Sequence, residues 1–248
     1  LIEIKDLDEM VNLEEISFKS CSGLMDLEFL SSCINLKTIE LDDLPLIRNI
    51  DSIASLEGLQ SIIIRNCVSL EHLPEMWAMD DIGFMEISDC QSMGDLSGLF
   101  FPLSLKGLVI SDFETAGCLD NINGLTALEY LHLENIKAIK SISFLKELDL
   151  VSLFIKNSIK ILPAGNIAEI NRYDDHLRNR EVGINDWWIL EEMKSLKSLE
   201  IQDCISITDL SFIGSLDSME VLSIYNSGVR NLADFNGLRK VKELNLHR

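Results

Sequence analysis

The amino-acid sequence predicts an α/β, β-rich solenoid with a parallel sheet along one side. Three observations predict it: a nine-residue pattern recurs, nearly all its start-to-start intervals are 22 or 23 residues, and apolar residues follow it at every third position. A unit of this length holds one strand but leaves too little chain for a full helix beside it. Since one unit cannot bury its own apolar face, neighbouring units must stack.

The recurring pattern is LxxLxLxxC, in which Leu, Ile, Met, Val and Phe replace one another freely. Its apolar fourth and sixth positions alternate with variable ones, as in a strand with one buried face. We therefore expect a strand at each of ten places where the pattern begins, which are Leu13, Leu36, Leu59, Ile82, Leu105, Leu128, Leu150, Leu196, Met219 and Val241.

The tail of each unit carries apolar residues three positions apart. In the first unit these residues are Leu24, Leu27, Leu30 and Cys33. An α-helix would place them at a period of 3.6, whereas a period of three suits extended or 3₁₀ turns. The side of the solenoid opposite the sheet is therefore predicted to consist of such turns.

The interval from Leu150 to Leu196 is 46 residues, twice the regular spacing, and places one further unit at Tyr173. We expect a degenerate repeat at 173–195, because its strand positions carry charged or polar residues, although a one-residue bulge would turn other, apolar residues inward. A second interpretation is a local binding feature built on this irregularity, with the candidate residues Arg172, His176, Arg178 and Arg180.

We expect a single domain over 1–248, with about 11 repeats and both ends cut in the middle of a repeat. The chain begins in step with the tail of an earlier unit and stops directly after a strand. A solenoid exposes apolar surface at an end without a capping element. These ends indicate that the chain is part of a longer polypeptide.

The charge balance limits the class of partner. Lys and Arg number 21 against 41 Asp and Glu, for a net charge of −20. This disfavours nucleic acid and anionic membrane surfaces, whose binding depends on Lys and Arg. No run of about 18 apolar residues occurs, so we expect no membrane insertion. A protein is the expected partner.

Four of the six cysteines, Cys21, Cys67, Cys90 and Cys204, occupy the ninth position of their units. This regularity predicts a ladder of buried thiols, although a Cys67–Cys90 disulfide is geometrically conceivable between consecutive units. Reduced thiols favour a cytoplasmic location, with a secreted or cell-surface one as the alternative if a signal peptide precedes the chain.

The motifs of catalysis and metal binding do not occur. No CxxC pair is present, no histidine lies at ligand spacing to a cysteine, and the signatures of nucleophilic, nucleotide-binding and metalloprotease sites are missing. We therefore predict no cofactor, no metal site and no intrinsic enzyme activity.

The pattern resembles the leucine-rich repeat family, in the short-repeat form of bacterial internalins. The passage NCVSLEHLP, residues 66–74, is also similar to the repeats of plant intracellular immune receptors. The resemblance implies a right-handed superhelix whose strands line a concave face and whose 3₁₀ or extended turns line the convex face. It also implies that the concave face binds proteins.

The third, fifth, seventh and eighth positions of each unit are predicted to point outward from the sheet, because strand side chains alternate between faces. Apolar and aromatic residues at these positions, with an acidic rim, have the composition of a protein-binding patch. The alternative is that exposed apolar residues are common and carry no function. The candidate binding residues are Ile63, Phe84, Glu86, Val109, Tyr130, His132, Phe154, Lys156 and Tyr225.

The sequence thus predicts a protein–protein interaction module or scaffold that recognises a protein ligand through the concave face. Two alternatives remain at this point. One is the substrate-recruiting region of a larger effector enzyme or an immune-type sensor. The other is an internalin-like surface adhesin.

Overall fold

The computed structural model describes residues 10–76, 79–94, 99–113, 119–136, 139, 141–156, 184–229, 235 and 238–247. Ten parallel strands form one sheet in chain order, which confirms the predicted solenoid. Each strand occupies the third to seventh positions of its unit. The strands are β1 (Glu15–Lys19), β2 (Thr38–Asp42), β3 (Ser61–Arg65), β4 (Phe84–Ser88), β5 (Gly107–Ser111), β6 (Tyr130–Glu134), β7 (Ser152–Lys156), β8 (Ser198–Gln202), β9 (Val221–Tyr225) and β10 (Glu243–His247).

Alternate strand residues face opposite sides of the sheet. In β6, Leu131 and Leu133 are fully buried, while Tyr130, His132 and Glu134 are half-exposed. Most strands show the same alternation, because their fourth and sixth positions pack into the core. The period-two pattern in the sequence therefore predicted the buried face correctly.

Short 3₁₀ helices and turns form the opposite side, as the period-three tail predicted. Every third residue reaches the core: Leu24, Leu27, Leu30 and Cys33 are all at most 3% exposed. A 3₁₀ helix has three residues per turn, so these side chains line up on its inner face. The described 3₁₀ helices are Glu28–Ser32, Asp51–Ser55, Gln91–Met93, Leu119–Ile122, Ser143–Leu145, Trp187–Glu192 and Ser211–Ser215.

Strand β7 pairs directly with β8, with Phe154 beside Glu200 and Lys156 beside Gln202. No strand from the predicted degenerate repeat at 173–195 therefore lies between them in the sheet. Its strand positions carry His176, Arg178 and Glu181, and burying such side chains without partners costs several kcal/mol each (about 2–7 for a neutral polar group). Residues 157–183 themselves lie outside the described residues.

Ile184, the first described residue after β7, is buried. The Asp186 carboxylate accepts hydrogen bonds from the backbone N–H of Ile142 (2.9 Å) and the hydroxyl of Ser141 (2.6 Å) in the preceding unit. The turn that begins at Ile184 therefore stacks on the unit of β6 and completes the unit of β7. Within the described residues, no helix is long and apolar enough to cross a membrane.

Candidate protein-binding face

The sheet register brings most of the predicted site residues into one patch. We use the term central row for the fifth positions of the units, which lie side by side on successive strands: Ser17, Glu40, Ile63, Glu86, Val109, His132, Phe154, Glu200, Ser223 and Asn245. Phe84 and Tyr130 occupy the third positions beside this row. The concave patch is defined as Phe84, Val109, Tyr130, His132 and Phe154, all of which are half-exposed.

The remaining predicted residues surround the concave patch or lie apart from it. Glu86 separates Ile63 from Val109 in the central row. Lys156 lies at the end of β7 and contacts Glu134 rather than the patch. Tyr225 is on β9, where its ring stacks on the imidazole of His247 with centroids 5.0 Å apart. The structure therefore brings together five of the nine predicted residues.

Gly107 leaves room for the Phe84 ring, which lies over the glycine on its side toward β4. A methyl group added at Gly107 would lie 2.8 Å from Cδ2 of Phe84 and 3.8 Å from Cδ1 of Tyr130. The two rings thus lie on either side of the Gly107 backbone, and Gly107 is buried. Gly107 was not among the residues predicted from the sequence, although its signal is a glycine between Phe84 and Tyr130 in the aligned units.

A chain of polar contacts fixes the aromatic side chains of β6. The Tyr130 hydroxyl lies 3.3 Å from Nδ1 of His132, and Nε2 of His132 lies 3.2 Å from a Glu134 oxygen. With the proton on Nε2, the imidazole donates to Glu134 and accepts from Tyr130. The His132 ring also packs on Phe154, with centroids 4.0 Å apart. This arrangement restricts the rotamers of the three rings.

Ionisation states around Tyr130 and Glu134 follow from these contacts. Burial opposes ionisation of Glu134, but hydrogen bonds from Lys156 (2.6 Å) and His132 outweigh it and lower its pKa. The same bond to Glu134 raises the pKa of Lys156. Burial, together with the charges of Glu86 and Glu200, raises the pKa of Tyr130. The Tyr130 phenol, within the patch, is therefore held in its neutral form.

A second network of ion pairs lies on the N-terminal side of the concave patch. Arg65 donates two bonds to Glu86 and one, of 2.9 Å, to Glu40, which also binds Lys19 at 3.0 Å. Hydrogen bonds from Lys19 and Ser17 lower the pKa of Glu40. The bond to Glu86 raises the pKa of Arg65. These charges neutralise one another on the surface.

The residue after each of the strands β1–β6, β8 and β9 forms an edge whose backbone conformation was not predicted from the sequence. These residues occupy the eighth position of their units and adopt a left-handed backbone conformation, with φ between 44° and 64°. The backbone N–H of each one donates a hydrogen bond to the carbonyl of the last residue in the next strand. Asn and Asp tolerate this conformation because their side chains bond locally. The signal was present as a column of short polar residues: Ser20, Asp43, Asn66, Asp89, Asp112, Asn135, Asp203 and Asn226.

Asn and Asp side chains also join neighbouring units along this edge. The amide of Asn66 donates to Asp42 (3.0 Å), and the amides of Asn135 and Asn226 donate to Asp112 and Asp203 at 2.8 Å each. Acidic residues of this edge, with Glu134, form the rim predicted for the patch. The edge therefore combines a structural role with a negative surface.

The predicted ladder of thiols follows the same edge. Cys67, Cys90 and Cys204 are buried and Cys21 is half-buried, and each thiol donates to the carbonyl two residues earlier at 3.2–3.5 Å. Burial raises the pKa of Cys67 to about 11 and that of Cys90 to about 12. Cys21, Cys67 and Cys90 are free thiols, so the conceivable Cys67–Cys90 disulfide is not formed in the structure.

Other candidate sites are less defined. The secondary candidates Arg172, His176, Arg178 and Arg180 lie outside the described residues. A groove of about 500 Å³ runs along the opposite edge of the sheet, where Lys106, Glu129 and Lys197 line it. Among the described residues, no group of three or more His, Cys, Asp or Glu side chains is placed to hold a metal ion.

Comparison with solved structures identifies the fold as that of leucine-rich repeat proteins. Internalin F of Listeria monocytogenes matches with a TM-score of 0.64 at 16% identity, covering 99% of this chain and 71% of that chain. Internalin C2 of the same organism matches with a TM-score of 0.55 at 15% identity, covering 96% and 82%. Both likenesses confirm the internalin-like repeat solenoid.

Two further matches come from other kinds of protein. The leucine-rich repeat domain of the type III effector XopL has a TM-score of 0.52 at 17% identity, covering 98% of this chain and 72% of that chain. TLR13, solved in complex with ssRNA13, has a TM-score of 0.61 at 14% identity, covering 94% and 32%. No protein-family model matches the sequence, and no curated protein matches it. At sequence identities of 14–17%, these four matches show a similarity of fold alone.

Proposed function

We propose that the chain is a protein-recognition module that binds a protein ligand through the concave patch. The observation that carries this proposal is a cluster of apolar and aromatic side chains on three adjacent strands, β5 to β7, and on β4 beside them, at positions that face solvent. Soluble proteins rarely leave such residues together on a surface unless a partner covers them. Leucine-rich repeat domains are, in general, protein-binding modules.

The rigidity of the patch supports the same function. Its side chains sit on a hydrogen-bonded sheet, and His132 is held between Tyr130, Glu134 and Phe154. A surface that is ordered before binding loses little conformational entropy in the complex. The aromatic residues therefore have the properties of binding hot spots.

The expected partner carries positive charge. The net charge of −20 and the acidic edge next to the patch favour a protein with a basic surface. The same charge disfavours nucleic acid, because phosphate binding depends on Lys and Arg. The likeness to TLR13, which was solved with an RNA ligand, concerns the fold and does not alter this argument.

We propose recognition without catalysis within these residues and without a cofactor, because neither the motifs nor the described side chains provide a nucleophile and base. Reduced, buried thiols favour a cytoplasmic location. The likeness to the repeat domain of a type III effector favours, as a second candidate, a substrate-recruiting or sensor region of a longer protein. The likeness to internalins favours a surface adhesin as a third, and fractionation of cells that express the full gene separates these locations.

The test compares protein capture by the native chain and by two triple variants. Replacing Tyr130, His132 and Phe154 with Ala should reduce the affinity for a captured partner at least about tenfold, since each anchor contributes about 1–2 kcal/mol or more. A convex control carries Ala at the exposed residues Glu28, Trp188 and Glu191 and should bind normally. Full binding by a folded concave variant would overturn the proposal.

A charge-reversal variant addresses the secondary candidates. Replacing Arg172, Arg178 and Arg180 with Glu should leave capture unchanged if the concave patch is the binding site. Loss of binding in this variant alone would move the site to the 170–183 passage.

A further inference from the structure

The central row contains three glutamates, and two of them have internal cations. Glu40 binds Lys19 and Arg65, and Glu86 binds Arg65. Glu200 differs, because its described contact is a hydrogen bond from the amide of Gln202. Among the described residues, no Lys or Arg lies within ion-pair distance of Glu200. It is thus a half-exposed carboxylate in a row whose other carboxylates are neutralised.

An aromatic ring lies directly beside this carboxylate. Phe154 and Glu200 are register partners on β7 and β8, so their Cα atoms lie about 4.8 Å apart. The imidazole of His132 packs on Phe154 from the β6 side, with centroids 4.0 Å apart. The other side of the phenyl ring therefore faces β8 and Glu200. Both Phe154 and Glu200 are half-exposed, so a ligand can reach them.

The sheet already holds a guanidinium in a similar position. Arg65 lies over the central row, where it donates Nε and one terminal nitrogen to Glu86 and the other terminal nitrogen to Glu40 at 2.9 Å. This surface therefore accommodates a planar, forked cation between strand glutamates. At β7 and β8 the carboxylate and a ring face are present, while the cation of β7, Lys156, binds Glu134 on the other side instead.

We propose that Phe154 and Glu200 form a subsite for the guanidinium group of an arginine on the protein partner. The guanidinium stacks on the face of Phe154 that His132 leaves open and donates two hydrogen bonds to the Glu200 carboxylate. Arginine suits this pair better than lysine, because its planar group stacks on rings and binds carboxylates in a bidentate manner. The acidic excess of the chain attracts such a partner. This inference rests on the proposed function, since it assigns one contact within the same binding face.

The direct test uses a single arginine side chain as the probe. N-acetyl-arginine N-methylamide is titrated into the chain at about 0.15 M salt, where surface charges are screened, and the Phe154 ring signals are followed by NMR. We expect saturable shifts with a millimolar Kd. N-acetyl-citrulline N-methylamide has nearly the same shape without the charge and should not shift these signals. Equal binding of the citrulline and arginine probes would overturn the subsite.

Two variants localise the binding. Glu200→Gln keeps the shape of the side chain and should weaken arginine binding by about fivefold or more, because the charge-assisted bonds are lost. Glu57→Gln removes the same charge from an exposed turn and should bind the probe normally. Phe154→Leu, which keeps an apolar side chain without a ring face, should also weaken binding. Unchanged binding by Glu200→Gln would overturn the proposal.

The outcome separates this proposal from the proposed function. If partner capture depends on the concave patch but the arginine probe does not bind, the subsite is wrong and concave recognition stands. If the probe binds as expected but capture ignores the concave triple variant, which lacks Phe154, the pair binds a guanidinium but not one of the captured partner, and the proposed function fails.

Discussion

The rings of His132 and Phe154 pack against each other across neighbouring strands, with centroids 4.0 Å apart and planes inclined by 30°. This contact joins the polar chain of β6 to the apolar surface of β7. Since Nε2 of His132 also lies 3.2 Å from Glu134, the position of the Phe154 ring depends on a carboxylate two residues along the neighbouring strand. The binding face is therefore a connected group of side chains rather than a set of isolated exposed residues.

Gly107→Ala should disturb the patch without unfolding the chain. The added methyl group would lie 2.8 Å from Cδ2 of Phe84, so the Phe84 ring must turn away. We expect the free energy of unfolding to change by less than about 1 kcal/mol, because the ring lies on a surface and can move. NMR contacts between the Phe84 ring and the backbone of residue 107 should weaken.

The neighbouring glycine provides the control for this substitution. A methyl group at Gly83 would meet no atom within 4 Å. Gly83→Ala should therefore leave the ring contacts and the affinity for a partner unchanged. Identical ring contacts in the Gly107→Ala variant would show that Phe84 does not cover this glycine.

Glu134→Gln should change how stability depends on pH. The folded pKa of Glu134 is lowered from its ordinary value of 4.5, so the ionised carboxylate contributes stability above about pH 4.5. That contribution is lost as the pH falls through the folded pKa. We expect the variant to be about 0.5–1 kcal/mol less stable at pH 7, with a difference that shrinks below pH 4.5.

Urea unfolding at a series of pH values measures this difference. Glu57→Gln, on an exposed turn, serves as the matched change of charge. A difference between native and Glu134→Gln chains that stays constant from pH 7 to pH 3 would contradict the assigned ion pair with Lys156.

The thiols of Cys67 and Cys90 should resist alkylation in the folded chain. Burial raises their pKa values to about 11 and about 12, so little thiolate exists at pH 8. The half-buried Cys21 should react with iodoacetamide at least about a hundredfold faster than either, since reactivity requires an accessible thiolate. Peptide mapping by mass spectrometry gives the three rates, and similar rates in the native chain would contradict the buried ladder.

Asn66→Ala should destabilise the edge after β3. Asn66 has φ of 54°, where a residue with Cβ but no local side-chain bond is disfavoured by about 1–2 kcal/mol. The variant also loses the bond from the Asn66 amide to Asp42. Asn66→Gly loses the same bond but tolerates the backbone, so it should be the more stable of the two by about 1 kcal/mol in urea unfolding. Equal stability would refute the strain argument.

Much of the fold followed from periodicity alone. Apolar residues two apart identified strands such as β6, and residues three apart identified the 3₁₀ side, because each spacing matches the geometry of one backbone conformation. Spacing alone placed a further unit at Tyr173, but its strand positions carry His176, Arg178 and Glu181, and β7 pairs directly with β8. Register in a repeat sequence therefore indicates a strand only when the buried positions are apolar.

The site was less predictable than the fold. The outward-facing positions on β4 to β7 were identified from the alternation of apolar and variable residues. Which of these side chains contact one another depends on their rotamers and on their hydrogen-bond and ion-pair partners. Arg65 neutralises Glu86, while Glu200 in the same row has only an amide donor among the described residues. Likewise, the sequence lists Gly107 without showing that the Phe84 ring lies over it. Contacts between side chains 21 to 25 positions apart required the structure.

Photo-crosslinking from position 130 tests the concave-face account most directly. A benzoylphenylalanine in place of Tyr130 lies in the concave patch, whereas one in place of Trp188 lies in the 3₁₀ helix Trp187–Glu192, at a residue 57% exposed. The account predicts that light produces a discrete protein adduct from position 130 and none from position 188, in cells that make the full-length protein. An adduct from position 188, with none from position 130, would contradict it.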